Sequence, residues 1–352
     1  MTYQENCKAQ WEQLKSKEHV RILAMETSCD ETAAAVIEDG RKILSNCVYT
    51  QIDLHALYGG VVPEIASRAH VEKTDALVDA ALNEAGLGLD DVDALAVTYG
   101  PGLVGSLLAG VSCMKGIAFA KKKILVPVHH IEGHICANFL THPDLQPPFA
   151  CLVVSGGHSH ILQVKDYGKY ELVGCTQDDA AGEAFDKAAR VLDLPYPGGP
   201  RLDHLADAGN ENALKLPKPK MEGRYDFSLS GLKTAFINAV HTMRQKNEVL
   251  PDADLAASFR KAVVDMLVEK TMLAADELGF ATIALAGGVS ANSLLRRRMQ
   301  SECDKRGIPL YMPALKLCGD NAAMIGSAAY FRLMQGEMAD LTLNARPSLP
   351  LV

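Results

Sequence analysis

The feature that most constrains this chain is a strand, loop and hairpin plan that occurs twice. ILAM (22 to 25) is a short apolar strand leading into ETSCDET, and AAAVIEDGRKIL then reads as a hairpin turning at Asp39-Gly40. CLVVSGGHSHILQVKDYGKYELV (151 to 173) repeats the order of apolar strand, small polar loop, strand and glycine turn. An offset of 128 residues carries Gly40 onto Gly168, Thr27 onto Ser155 and Asp30 onto His158 without a gap. Such self-similarity predicts two like lobes, each presenting a polar loop at a strand end, with the working site in the cleft between them. The length of 352 residues agrees, being too long for one typical core and sufficient for two.

Composition narrows the class. Hydrophobic residues make up 48% and charged residues 22%, values of an ordinary globular protein, which excludes disordered and fibrous readings. The nine cysteines are scattered from Cys7 to Cys318 without a CxxC pair, unlike a disulfide framework or a zinc ribbon, and predict a reducing, cytoplasmic setting. No signal-peptide run opens the chain, and no later segment reads as long enough to span a membrane. A net charge of -8 gives no global footprint for a polyanion, so nucleic-acid contact has to be local. Basic clusters at 121 to 123, 215 to 220 (KLPKPK) and 296 to 298 are read as solvated faces.

Three glycine loops follow strands. Ser155-Gly156-Gly157-His158-Ser159 suits close approach of backbone N–H groups to phosphate, although Gly-Gly between strands also makes a plain tight turn. GPGLVG (100 to 105) is formally GxGxxG between a strand and a helix, but the next strand, ILVPVHH, supplies histidines where a dinucleotide site wants an acid. In ATIALAGGVSANSLLRRRM (281 to 299) a strand passes through Gly287-Gly288 into a helix capped by Ser290 or Asn292, whose N-terminus favours an anion.

The sharpest chemical signal is His130-Ile131-Glu132-Gly133-His134. Histidines four apart on a helix share one face at metal-ligand spacing. Glu132 stands at the third place of the motif, where the zinc proteases of the HExxH and HxxEH types do not hold their base. Asp320, in CGDNAAMIGSAAY, is the best third ligand, with a helix N-cap as its alternative role. Two histidines and a carboxylate leave open metal positions, as non-haem iron favours and zinc tolerates.

Taken together, METSCDET (25 to 32), GGVVPEIASRAH (59 to 70), YGPGLVGSL (99 to 107), HHIEGH (129 to 134), VSGGH (154 to 158), GEAFDK (182 to 187), YPGGP (196 to 200), FSLSGLKT (227 to 234) and GGVSAN (287 to 292) closely resemble the tRNA adenosine threonylcarbamoyltransferase family, bacterial TsaD type, in the family order. The resemblance covers roughly 21 to 345 and leaves a polar extension at 1–20. It implies an α/β, duplicated, two-lobed actin/sugar-kinase/Hsp70-like fold, with lobe I at 21–149 plus a return at about 320–345 and lobe II at 150–319. It implies metal ligands His130, His134 and Asp320, and nucleotide or acyl-adenylate contacts at Val154, Ser155, Gly156, Gly157, His158, Asp186, Gly199, Asp203 and Asn292.

The reaction so implied moves a threonylcarbamoyl group from threonylcarbamoyl-AMP to N6 of the adenosine 3′-adjacent to the anticodon in tRNAs reading ANN codons. The implied cofactor is one divalent metal per subunit, Fe(2+) favoured over Zn(2+), with ATP or ADP fitting the adenylate site. Implied partners are tRNA, a non-catalytic paralogue of TsaB type, a small ATPase of TsaE type, and a separate TsaC-type enzyme that supplies the adenylate; no membrane is involved. For the amine proton the candidates are Asp30, Glu31 and His158. Three other readings compete: a small-molecule kinase of the same fold, a metalloprotease, and a nucleotide-binding scaffold without catalysis.

Overall fold

Strands of almost unbroken apolar sequence become central strands, because only a strand covered on both faces can hide such a run. A computed structural model describes residues 2–218, 221–247 and 250–352, so the KLPKPK cluster lies partly outside the described residues. In chain order, helix α1 (Tyr3–Leu14) precedes β1 (Arg21–Glu26), β2 (Glu31–Glu38) and β3 (Lys42–Thr50). Helices α2 (Ile52–Ala56), α3 (Pro63–Val71) and α4 (Thr74–Ala85) lead to β4 (Ala94–Gly100), α5 (Val104–Lys121), β5 (Ile124–His129) and α6 (His130–Thr141). The plan restarts with β6 (Phe149–Val154), β7 (Ser159–Asp166) and β8 (Lys169–Cys175), followed by α7 (Ala181–Val191), α8 (Gly198–Ala206), α9 (Ser230–Lys246) and α10 (Asp252–Leu278). The strands β9 (Ile283–Ala286) and β10 (Leu310–Tyr311) flank α11 (Ser293–Arg306), and α12 (Ala322–Met334) comes last.

The chain forms two compact units, one of Met1–Gln146, Asp166–Lys169 and Pro313–Val352, the other of Pro147–Lys165 and Tyr170–Met312. The first holds the sheet β3-β2-β1-β4-β5 and the second the sheet β8-β7-β6-β9-β10. Each central strand, β1 or β6, is antiparallel to the strand after it and parallel to the one reached by a helical crossover. The bounds of β6 and β7 are those of β1 and β2 shifted by 128 residues, so the duplication read in the sequence is a duplication of topology.

The turn between β2 and β3 falls where Asp-Gly predicts. Asp39 and Gly40 have φ of 55° and 69°, the left-handed pair of a type I′ turn, and a Cβ on Gly40 would lie 2.6 Å from the Tyr330 ring. In the first unit Leu23, Met25, Val36, Leu95, Val97 and Met114 form the core; in the second, Leu152, Ile161, Phe185, Phe236, Phe259 and Leu285 do. Each such side chain contributes roughly 1.5–3 kcal/mol on burial. Helix α12 is built of small residues because it lies against the first sheet, Gly326 standing where a Cβ would meet Ile37 at 2.5 Å.

One expectation gains detail and another needs correction. The polar first twenty residues hold a docked helix: α1 starts with a Thr2–Glu5 capping box and packs on the first unit, where Tyr3 Oη donates to Lys123 O (2.8 Å) and Trp11 Nε1 to Leu333 O (2.6 Å). Helix α5, with 18 residues, is also long and apolar enough to cross a membrane by length and composition, contrary to the sequence reading. Its Ser106, Leu107, Gly110, Val111, Met114 and Ala118 are buried within the first unit.

Candidate metal and nucleotide sites

In the first unit β5 runs directly into α6, and His129 caps that helix by accepting from Ile131 N. His130 and His134 consequently fall one turn apart, with ring centroids 4.7 Å from each other. Asp320 Oδ1 stands 3.5 Å from His130 Nε2 and 3.2 Å from His134 Nε2, and one donor atom from each residue lies within 4.8 Å of the others. Asp320 is not the cap of α12. Asn321 takes that role, accepting from Met324 N, which leaves the Asp320 carboxylate facing the histidines.

The donor set fits a divalent ion. Both ring nitrogens of His134 are buried without a hydrogen-bond partner among the described residues; Nε2 faces Asp320 Oδ1 at short range but without hydrogen-bond alignment. Two imidazoles and one carboxylate oxygen are hard-to-borderline ligands of the kind zinc and ferrous iron accept. Glu132, by contrast, is buried and paired with Arg332, so it is taken up by an internal ion pair.

Electrostatics around the set is strongly biased. Burial would depress the His130 imidazole, but the Asp320 and Glu26 carboxylates overcome it and lift its pKa to about 9. Burial also works on Glu31, and with Asp320 and Asp30 nearby it pushes that carboxyl up to about 10. The loop carrying these acids is tightly held: Leu103 N donates to Ser28 O (2.8 Å), His70 Nε2 lies 2.9 Å from Cys29 O, and Gln51 N donates to Asp30 O (3.0 Å). GPGLVG serves this packing. A Cβ on Gly102 would stand 2.5 Å from Ser28 O, one on Gly105 2.3 Å from Ser67 Oγ, and one on Gly100 2.1 Å from Arg346 O. The glycines are there for close approach of chain to chain.

In the second unit, VSGGH is a tight turn in which Ser155 N donates to His158 O (2.8 Å) and His158 N to Ser155 Oγ (3.2 Å). Gly156 and Gly157 have no positive φ, and a Cβ on either would meet nothing within 4 Å. Neither conformation nor a neighbour of the missing side chain asks for glycine at these two exposed positions, and glycine there leaves the backbone open to close approach on that side. The GGVSAN loop lies beside it, a Cβ on Gly287 falling 2.3 Å from Val154 O.

The other sequence-predicted contacts form two pairs. Asp186, on α7, accepts from Gly199 N at 2.9 Å. Asp203, on α8, accepts from Asn292 Nδ2 (2.9 Å), Ser293 N (2.9 Å) and Arg260 (2.8 Å). Asn292 caps α11 through Leu295 N (3.0 Å), so the cap is Asn292 and not Ser290. Both ends of the Asn292 side chain are engaged, and what it retains for a ligand is its second Nδ2 hydrogen and a second lone pair on Oδ1.

Glu26, Thr98 and Arg260 were missed by the sequence reading. Only Glu26 left a signal, an acid directly after the apolar run Ile22 to Met25.

A family model described as TsaD, tRNA N6-adenosine threonylcarbamoyltransferase, matches residues 42–327. The chain belongs to this family. The tRNA N6-adenosine threonylcarbamoyltransferase of Clostridium perfringens is 54% identical over 331 residues, covering 94% of this chain and 98% of that one. The protein of the same name from Clostridium botulinum is 54% identical over 336 residues, covering 95% and 99%. Among solved structures, T. kodakarensis HypF is similar with a TM-score of 0.61 at 16% identity, over 91% of this chain and 48% of that one, a likeness of fold alone. The TsaD family implies a divalent metal ion, for which His130, His134 and Asp320 are the clustered donors.

Proposed function

We propose that this chain forms N6-threonylcarbamoyladenosine by transferring the threonylcarbamoyl group from threonylcarbamoyl-AMP to N6 of the adenosine 3′-adjacent to the anticodon in tRNAs reading ANN codons. The observation that carries the reading is the convergence of the buried His130 and His134 with the partly exposed Asp320 in a chain of the TsaD family. An exocyclic amine is a weak nucleophile, so the chemistry needs alignment and stabilisation of charge on the carbonyl oxygen and the departing phosphate. His130, His134 and Asp320 would hold a divalent ion, Fe(2+) being favoured and Zn(2+) suitable, which would supply Lewis acidity to that chemistry.

The chain's own groups carry the remaining tasks. The amides of Gly156 and Gly157 bind phosphate, and the Asp186–Gly199 and Asp203–Asn292 pairs fix the walls beside them. ATP or ADP would occupy the same loops. Glu31, protonated up to about pH 10 in the ion-free protein, is poised to hold or take up a proton when local charge changes, and Asp30 and His158 are the other candidates for the amine proton. The basic clusters are largely spent on acids and carbonyls, Lys123 on Asp90 O and Val92 O, Arg298 on Glu211 and Asp265. Docking of an anticodon loop therefore calls for partner subunits, a TsaB-type paralogue and a TsaE-type ATPase, with a TsaC-type enzyme supplying the adenylate in the cytoplasm.

The test is direct. Purified chain, partners, threonylcarbamoyl-AMP and unmodified tRNA are combined and the nucleosides analysed by mass spectrometry. Modified adenosine is expected with wild type and absent with His134→Ala; no product with any metal or partner set refutes the proposal. Phosphate transfer from ATP to a small molecule by the metal-free chain would favour the kinase reading instead.

A further inference from the structure

β1 is apolar from Ile22 to Met25, and the residue that ends it is the fully buried carboxylate of Glu26. A buried carboxylate persists only when its oxygens are satisfied and its charge is balanced. Oε1 accepts from Ser28 N (2.5 Å) and Oε2 from Thr98 Oγ1 (2.5 Å). Oε2 also lies 3.2 Å from His130 Nδ1, a nitrogen that Ser28 Oγ approaches at 3.1 Å. We propose that Glu26 is the positioning carboxylate of the metal centre: by accepting the Nδ1 hydrogen of His130 it holds the ring in the tautomer that turns the Nε2 lone pair toward Asp320 and His134. The inference rests on the reading of those three residues as a metal-ligating set.

Three observations carry it. The first is direction, since a ring whose Nδ1 faces Glu26 presents Nε2 to Asp320 Oδ1, 3.5 Å away. Metal-bound histidines regularly donate their other nitrogen to a carboxylate, which fixes ring orientation and raises ligand basicity. The second is charge: the main-chain N–H of Ser28 and the hydroxyl of Thr98 are neutral donors, so positive charge reaches Glu26 through the His130 ring that it faces. Glu26 and Asp320 together balance one divalent ion bound by two neutral imidazoles. The third is the duplication. The position 128 residues on, ending β6, is Val154, so the shared strand and loop plan does not itself require an acid there. Glu26 also ties His130 to the main chain of the 27 to 30 loop through Ser28 N, coupling a ligand to the segment that bears Asp30.

Glu26→Gln tests this, because glutamine keeps the shape and an accepting oxygen while losing the charge. Binding of Zn(2+) and Co(2+) to the full chain would be measured by competition with a chromophoric chelator at neutral pH, together with the Co(2+) d–d absorption and thermal unfolding of the metal-free protein. Wild type should bind one ion, His134→Ala none, and Glu26→Gln should bind roughly 10–100-fold more weakly with a shifted Co(2+) spectrum. Thr98→Val, which removes one donor to Oε2 and retains the fold's volume, should weaken binding a few-fold and carries the test if Glu26→Gln does not fold. Wild-type affinity and spectrum in either folded variant overturn the role of Glu26. Failure of wild type to bind any ion overturns the metal reading itself.

Discussion

The loops after β1 and β6 occupy equivalent places, each four residues long, at 27 to 30 and 155 to 158, yet they are built for opposite ends. In the first unit Thr27, Ser28 and Asp30 are buried, the carbonyls of residues 28 to 30 each have a donor, and the loop holds acids close to the histidine pair. In the second unit Gly156 and Gly157 are exposed, and a Cβ on either would meet nothing within 4 Å. One topology thus yields a buried, acid-bearing loop where side chains crowd in and a glycine loop where they are withheld. The difference lies in a handful of residues at strand ends, since the strands themselves are shifted copies.

The largest effect expected from breaking this contrast is at the cation end. His130→Ala, His134→Ala or Asp320→Ala should each lower metal affinity by more than about 100-fold, because losing a mere orienting partner already costs roughly 10–100-fold. Metal content after dialysis, with modified nucleoside formed per chain, checks this. The glycines sharpen the contrast next. Gly287→Ala, at φ +87° and 2.3 Å from Val154 O, should destabilise the protein by about 1–3 kcal/mol, as should Gly102→Ala against Ser28 O. Gly156→Ala and Gly157→Ala should leave thermal unfolding unchanged while weakening nucleotide binding in calorimetry. If they unfold the protein instead, the loop is structural and not a phosphate site.

Two acids offer a smaller, opposite pair of effects. Asp178 accepts from Ser228, from Leu229 N and from Ser230, and although partial burial works against it these donors hold its pKa down to about 2. Its folded value is below the unfolded one, so its stabilisation is full above about pH 4 and disappears as pH falls through about 2. The gap in unfolding temperature between wild type and Asp178→Asn should close over that window. Glu31 behaves in reverse. Its raised folded pKa means that the metal-free protein loses stability as pH climbs from about 4.5 toward about 10. Glu31→Gln should therefore be more stable than wild type when metal-free, by a margin that widens with pH; a margin independent of pH would refute the assignment.

Much of the fold was legible because it is carried by local pattern. The apolar runs at 22 to 25, 93 to 99 and 151 to 154 became strands, Asp39-Gly40 became the expected turn, and the histidine spacing placed two imidazoles on one face of α6. Helix α1 was not legible as a docked element, because Trp11 and Tyr3 find their acceptors at Leu333 and Lys123, far along the chain. GPGLVG carries a phosphate-like pattern, but its glycines answer to Ser28, Ser67 and Arg346, contacts that no local reading supplies. Asp203 and Asn292 were named as ligand contacts, and the structure adds that they hold each other.

By itself the sequence determined the duplicated strand plan, the histidine pair and the family, since periodicity, spacing and motif order are properties of residues near one another in the chain. Only the tertiary structure decided that Asp320 faces those histidines while Asn321 caps the helix, and that Glu26 stands behind His130. Both depend on elements roughly a hundred residues or more apart being packed to within hydrogen-bond reach, a distance set by the core and not by any local preference.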